Sequence, residues 1–488
     1  MQYHKPVTGK EFFGRGRELG ALGEILRMVA QSGTGRLVGV RGRRQVGKSR
    51  LAEHFAARSG VPYGVIAGMK STPVEIQMRR AVQTLRASAK PLPGIDAVTA
   101  TIPADWNDLL SRLRLVVRDE PVIVVFDEFP WAWESTTWLD GVLQSLWDGD
   151  FGRRPVLMLL IGSDEAMMDR LFEHDRPLFG RLDDQLVVRP FNPAETARAL
   201  GGRVDAQGVF DTQLVTGGFP ELIAHARRFD SVTAMVENSL SRPHTLLADV
   251  AQLNLAGELS DGVSARLVLD AIGADEVGVV NFSAIAATLG GGKTAETAVT
   301  RAVKVLADVK QIVAVDLPGG RAGSRLKRYR IADSYLRFWF RFVEPQLRNI
   351  EVGRPDLAVA AFRRSWAAWR GKAIEPLVRE AVLRLAPSMA PPLTSIESVN
   401  PWWERSGTYE FDLVGAERNG LPVAVGSVKW REGQPFTDRD LAKLAMARSV
   451  IPHAERAGLL AVSPHGLAPG VSADMVLTAA DLLAAWQA

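Results

Sequence analysis

At 488 residues, and with roughly 100–200 residues per domain, the chain has room for about three or four domains, each able to bury its own core. Hydrophobic residues at 47% and charged residues at 23% exclude a disordered chain, a collagen-like repeat and a coiled-coil rod. With 59 basic and 55 acidic residues the formal charge is only +4, so attraction to a polyanion must come from local clusters, and a chain without cysteine has no disulfide, thiolate nucleophile or zinc–thiolate site.

The N-terminal MQYHKPVTGKEFFGRGREL lacks an apolar h-region. No segment approaches the roughly 20 apolar residues that cross a bilayer, which predicts a cytoplasmic protein with no membrane partner. Residues 1–191 alternate β-type apolar runs with amphipathic helical stretches, the pattern of a parallel sheet covered by helices. The predicted strands are RLVGVRG at 36–42, PYGVIAG at 62–68, PVIVVFDEF at 121–129, PVLMLLIGS at 155–163 and QLVVRPF at 185–191. Over 192–257 helix formers dominate, interrupted by TGGFPEL at 216–222, and we expect a small helical lid.

Residues 258–345 hold SARLVLDAIGA, then NFSAIAATLGGG with Ser283 as the expected N-cap, then TAETAVTRAVKVLADV. QIVAVDL and RLKRYRI follow, separated by PGGRAGS; three helices before a glycine-rich hairpin spell a winged helix-turn-helix. After the VGRPD connection near Gly353, residues 346–488 predict a separate C-terminal α/β domain. Its expected parts are a helix over 366–385, a hairpin turning at Asn419-Gly420 and a helix over 438–450. The fold class expected is therefore α/β multidomain.

Gly42-Arg43-Arg44-Gln45-Val46-Gly47-Lys48-Ser49 fits G-x-x-x-x-G-K-[ST] directly after a predicted strand and before the helical KSRLAEHFAA. The glycines allow backbone N–H groups to fold round phosphate oxygens. Lys48 is expected to reach the β and γ phosphates and Ser49 to ligate Mg²⁺, with a helix N-terminus facing the anion. Asp127 ends the apolar run VIVVF, where a carboxylate leaving a buried strand can hold the hydrated Mg²⁺, and Glu128 beside it is the natural base that polarises water. Ser163 ends the next predicted strand and is read as sensing the γ-phosphate, as orienting the attacking water, or as a plain loop serine.

FFGRGREL, GRRQVGKS, FDEF, LLIGS, PLFGR and GGFPEL together resemble the archaeal-type ATPases, a STAND-like branch of the AAA+ and related P-loop ATPases. The likeness continues through RYRIADSYLRFWFRFVEP at 328–345 into a C-terminal domain of the DUF234 type. It implies that Gly14 and Arg15 of the first box and Gly218 and Pro220 of the lid motif flank the adenine of bound ATP, although Gly16 stands where that box usually has an acid. Arg181 resembles the arginine that completes the phosphate site, in cis or from a neighbouring copy, so self-association is among the expected interactions.

On the predicted recognition helix, Thr297, Thr300, Arg301 and Lys304 are the exposed candidates, and the wing adds Arg321, Arg325, Lys327, Arg328 and Arg330. Such a set makes a phosphate-binding footprint for double-stranded DNA by counterion release. The other reading is a packing or autoinhibitory module, and Glu296 and Asp308 dilute the positive field.

EFDLV at 410–414 and VAVGSVKW at 423–430 resemble the PD-(D/E)xK nuclease core, with Glu375 of GKAIEPLVREA as the preceding helical acid. The resemblance implies that Asp412, helped by Glu375 and Glu410, ligates a divalent metal and that Lys429 positions the nucleophile or stabilises the pentavalent phosphate. Ser427 stands where the pattern has a carboxylate. The function expected is an ATPase coupling nucleotide state to DNA engagement, with a weak or inactive nuclease-like domain. The alternative is a nucleotide-gated scaffold whose C-terminal domain is chemically silent.

Overall fold

A computed structural model of the chain describes residues 12–258, 263–320 and 326–487. The chain divides into two compact units, Met1–Pro190 and Phe191–Ala488.

In the first unit β1 (Arg36–Arg41), β2 (Tyr63–Ala67), β3 (Val122–Asp127), β4 (Val156–Gly162) and β5 (Asp184–Val187) form an all-parallel sheet in the order β2-β3-β4-β1-β5. Every residue of β3 and β4 is buried, which is why both read as unbroken apolar runs and not as alternating ones. Ile66, Val124, Phe126, Met158 and Leu160 present one face to a core completed by Trp106, Leu109 and Leu113 of the helix Trp106–Leu113. The strand order matters for chemistry: β4 lies between β3 and β1, so the carboxyl ends of three adjacent strands carry the residues that follow them in sequence. That is where open parallel sheets bind ligands.

The second unit begins with a helical region, Pro193–Leu200, Ala206–Thr216, Pro220–Ala226, Val232–Leu240 and Leu246–Glu258. Asn192 and Glu195 form a capping box on the first of these helices. TGGFPEL interrupts the region because Gly217 and Gly218 adopt left-handed backbone at φ 59° and 78°, and the proline then opens the following helix. Next come the helices Val263–Ala274, Phe282–Thr288 and Gly292–Lys304. With them goes an antiparallel three-stranded sheet of β6 (Val280–Asn281), β7 (Val313–Asp316) and β8 (Arg328–Ile331), ordered β6-β8-β7. Asn281, not Ser283, caps the middle helix, its side chain accepting from the Ala284 N–H at 2.9 Å. Arg321 and Arg325 lie outside the described residues.

The helix expected over 366–385 is two helices, Pro355–Ala373 and Glu375–Leu385. Pro376 has no N–H to return to the carbonyl four residues back, so the ladder breaks there. The last sheet is mixed: β9 (Ser398–Trp403), β10 (Glu410–Ala416) and β11 (Pro422–Val428) pair antiparallel, and β12 (Gly458–Val462) and β13 (Met475–Leu477) add in parallel to β11. Gly420 takes φ 83° in the β10–β11 turn. Among the described residues no helix is long and apolar enough to cross a membrane.

Candidate functional site

The loop after β1 is shaped by left-handed residues: Gln45 at φ 64° and Gly47 at φ 93°, with Gly42 at φ 147°. A Cβ on Gly42 would be driven into the Val188 carbonyl, so that position admits only glycine. Gly47 caps the helix Lys48–Arg58, whose first-turn N–H groups and positive dipole end border the loop. Lys48 is 5% exposed, and its Nζ donates to the Gly42 carbonyl at 2.6 Å and the Arg43 carbonyl at 2.8 Å.

Burial lowers the Lys48 pKa to about 8, against the opposing pull of Glu128 and Asp127. A polyphosphate recruits the protonated form, so binding above pH 8 must take up a proton. Nucleotide affinity is expected to fall as pH rises through about 8, by up to about tenfold per unit. Calorimetry at pH 8.5 in two buffers of different ionisation enthalpy measures the uptake, and equal heats in both would remove Lys48 as its source.

Across the sheet, Asp127 closes β3 with only 3% exposure, and its Oδ1 accepts from the Glu128 N–H at 3.0 Å. Glu128 sits in the left-handed region at φ 47°. Ser163, just beyond β4, donates its hydroxyl to Glu128 Oε2 at 2.9 Å. To the sequence readings of Ser163 this geometry adds another, a direct hold on the candidate base.

Arg15 is nearly fully buried, with Nη2 on the Val46 carbonyl and Nη1 on the Arg189 carbonyl, each at 2.6 Å. It therefore clamps the phosphate loop from behind, and Gly14 supplies the left-handed turn before it at φ 67°. Trp131 escaped the sequence reading although it follows the acid pair by three residues. Its ring takes Lys70 Nζ at 4.5 Å and the Arg44 guanidinium at 5.7 Å, which places an intrinsic fluorophore against the loop.

Arg181 is held in a fork by Asp148, Nε to Oδ1 at 3.1 Å and Nη2 to Oδ2 at 2.9 Å. In the second unit the Gly218 carbonyl accepts from the Phe191 N–H at 2.8 Å, and Pro220 starts the helix Pro220–Ala226. Thr297, Thr300, Arg301 and Lys304 are exposed on Gly292–Lys304, while Val299, Ala302 and Val303 are buried. Lys327 is exposed and Arg325 lies outside the described residues. Arg328 corrects the expectation of a phosphate contact: it bonds Glu410 Oε2 at 2.7 Å and stacks 4.3 Å over Trp403, because β8 and the C-terminal sheet meet.

The proposed metal ligands Glu375, Glu410 and Asp412 also need correction. They converge, but Lys372, unremarked in the sequence, sits among them, and no group of three or more His, Asp or Glu among the described residues is arranged to hold a metal ion. Ser427 is a donor to Asp412 Oδ2 at 3.0 Å. Among the described residues no hydrogen bond or ion pair joins the Lys429 side chain to this cluster; its backbone N–H donates to the Val462 carbonyl and its carbonyl accepts from the Arg431 N–H.

Comparison with known proteins gives two family matches. Residues 11–158 match the AAA ATPase domain family, and residues 339–444 match DUF234, described as Archaea bacterial proteins of unknown function. An uncharacterized protein of Methanocaldococcus jannaschii is 22% identical over 437 residues, 89% of this chain and 90% of its own length. Among solved structures, the Walker-type ATPase of Pyrococcus abyssi aligns with 69% of this chain and 99% of its own at 17% identity and a TM-score of 0.47. The ORC2 protein of Aeropyrum pernix aligns with 74% and 98% at 16% identity and a TM-score of 0.46. The chain thus carries a region similar to AAA ATPase domains, lying on the five-stranded parallel sheet, and a C-terminal segment similar to DUF234.

Proposed function

We propose that the protein binds and hydrolyses ATP at the ends of β1, β3 and β4 and couples nucleotide state to engagement of double-stranded DNA. The observation that carries the enzymatic part is the convergence of a buried Lys48, Asp127 and a Ser163-held Glu128 on three neighbouring strand ends. Lys48 exchanges its loop carbonyls for β and γ phosphate oxygens, and the helix N-terminus adds backbone donors. Ser49 and Asp127 are the residues that would hold Mg²⁺, which neutralises charge on the phosphates when bound. Glu128 orients and polarises the attacking water, and Ser163 fixes its carboxylate until the γ-phosphate competes for the hydroxyl. Gly14 and Arg15 flank the adenine, and Arg181 completes the phosphate site from this chain or a second copy.

The DNA part rests on a winged-helix reading of residues 258–345, in which Thr300, Arg301 and Lys304 share the open face of one helix and Lys327 extends it along the wing. Arg301→Glu with Lys304→Glu is expected to weaken binding of every duplex sequence and to reduce the slope of log affinity against log salt by roughly 2, because these are phosphate contacts. Equal affinity of variant and wild type at matched salt would favour the scaffold reading, which the Arg328–Glu410 contact supports by docking the wing on the C-terminal sheet.

A further inference from the structure

The C-terminal acidic cluster faces a choice between binding a divalent ion and binding the protein's own cations, and the contacts of its six carboxylate oxygens decide it. Lys372 Nζ is 2.9 Å from Glu375 Oε1, is bonded to Glu410 Oε1 and lies 4.0 Å from Asp412 Oδ1. Arg379 Nη1 takes Glu375 Oε2 at 3.3 Å, and Arg328 Nη1 takes Glu410 Oε2 at 2.7 Å. Asp412 Oδ2 accepts from the Val428 N–H at 2.7 Å and from Ser427 Oγ at 3.0 Å.

Three carboxylates therefore meet three cationic side chains: five of the six oxygens have a hydrogen-bonding or ion-pair partner within 3.3 Å, and the sixth, Asp412 Oδ1, faces Lys372 Nζ at 4.0 Å. The cleft beside them, lined by Glu375, Glu410 and Lys372 with the further cations Arg330 and Arg337 but not by Asp412, leaves only about 20 Å³ open to a water-sized occupant, room for roughly one water and not for a hydrated divalent ion. Bringing two further positive charges beside Lys372, Arg379 and Arg328 adds a repulsion and desolvation cost that carboxylates already paired with those cations do not offset.

We infer that Lys372 is a built-in cation standing where a divalent metal would sit among Glu375, Glu410 and Asp412, so that this cluster is a metal-free junction and not a hydrolytic centre. Its work is to tie the end of one helix, the start of the next and β10 together, with Arg328 securing the wing to the same carboxylates. Lys429 is then free of any nucleophile-positioning role. The inference is independent of the ATPase reading, since it concerns only the second unit.

Mn²⁺ titration of the full chain, free of nucleotide and followed by the electron paramagnetic resonance of unbound Mn²⁺, tests it. Wild type and Asp412→Asn are expected to bind the same amount of Mn²⁺. Lys372→Ala is expected to gain one site per chain that the added Asp412→Asn removes. A wild type that binds one Mn²⁺ more than Asp412→Asn overturns the inference, as does a folded Lys372→Ala that gains nothing. Should Lys372→Ala fail to fold, the comparison of wild type with Asp412→Asn decides alone, and Mn²⁺-dependent cleavage of plasmid DNA by wild type that Asp412→Asn abolishes would count equally against it.

Discussion

Glu128→Gln is expected to retain ATP binding and to lose turnover by about 10²–10⁴-fold, the range for removing a positioned general base. The amide keeps the size of the side chain and can still accept from the Ser163 hydroxyl at the position now 2.9 Å away, but it cannot take a proton from water. Lys48→Ala should fail one step earlier. Hydrogen bonds to a charged partner are worth about 1.5–3 kcal/mol each, and Lys48 offers such bonds to two phosphates, so affinity should drop by on the order of 10²–10⁴-fold. Ser163→Ala separates positioning from chemistry, since Glu128 remains but loses its anchor, and a partial fall in turnover with unchanged affinity is the expected signature. Trp131 emission, set by the Arg44 and Lys70 cations over its ring, reports binding, and phosphate release reports turnover. Undiminished turnover in Glu128→Gln would take Glu128 out of the reaction.

The candidate nucleotide site was legible because it is built from local signals. The phosphate loop is one contiguous octapeptide, and β3 and β4 are buried on both faces, so they read as uninterrupted apolar runs ending in Asp127 and Ser163. Their adjacency in the strand order, which brings Ser163 onto Glu128, is a tertiary fact that neither run encodes alone. The C-terminal sheet was half legible. The β10–β11 hairpin announced itself through Asn419-Gly420, whereas β9 carries a proline and two tryptophans in a partly exposed edge, and β13 has only three residues, so neither shows period-2 alternation.

The acid cluster failed for a different reason. Glu375, Glu410 and Asp412 were visible as carboxylates, but the cation they choose depends on where the helix Pro355–Ala373 ends against β10. The spacing of Lys372 and Glu375, three apart across a helix break, was the signal that could have found it. Ser427 shows the same limit: read as a missing ligand, it is a donor that satisfies Asp412.

The largest stability effect should come from Arg370. Its Nη1 pairs with Asp211 Oδ2 at 2.8 Å, with the two side chains 5% and 9% exposed, and Trp430 Nε1 donates to Asp211 Oδ1 at 3.1 Å. One buried carboxylate thus joins the helix Ala206–Thr216, the helix Pro355–Ala373 and the residues after β11. Removing the arginine leaves that carboxylate buried with only an indole partner, a change that costs about 3–5 kcal/mol in comparable sites. Burial already raises the Asp211 pKa to about 6 despite Arg370 and Trp430. Because the folded value lies above the ordinary 3.8, its contribution to stability is full below about pH 4 and is lost as pH rises through about 6. In Arg370→Ala the opposing charge is gone and the carboxyl rises further, so the native state of the variant takes up a proton more readily than wild type does. The gap in apparent melting temperature between wild type and Arg370→Ala is therefore expected to be widest near pH 7.5 and to narrow at pH 5. The double variant Asp211→Asn, Arg370→Ala should lose most of that pH dependence, because no buried charge remains to titrate. A gap that is constant from pH 5 to 7.5 would mean that Arg370 acts through packing along its stem and not through the Asp211 carboxylate.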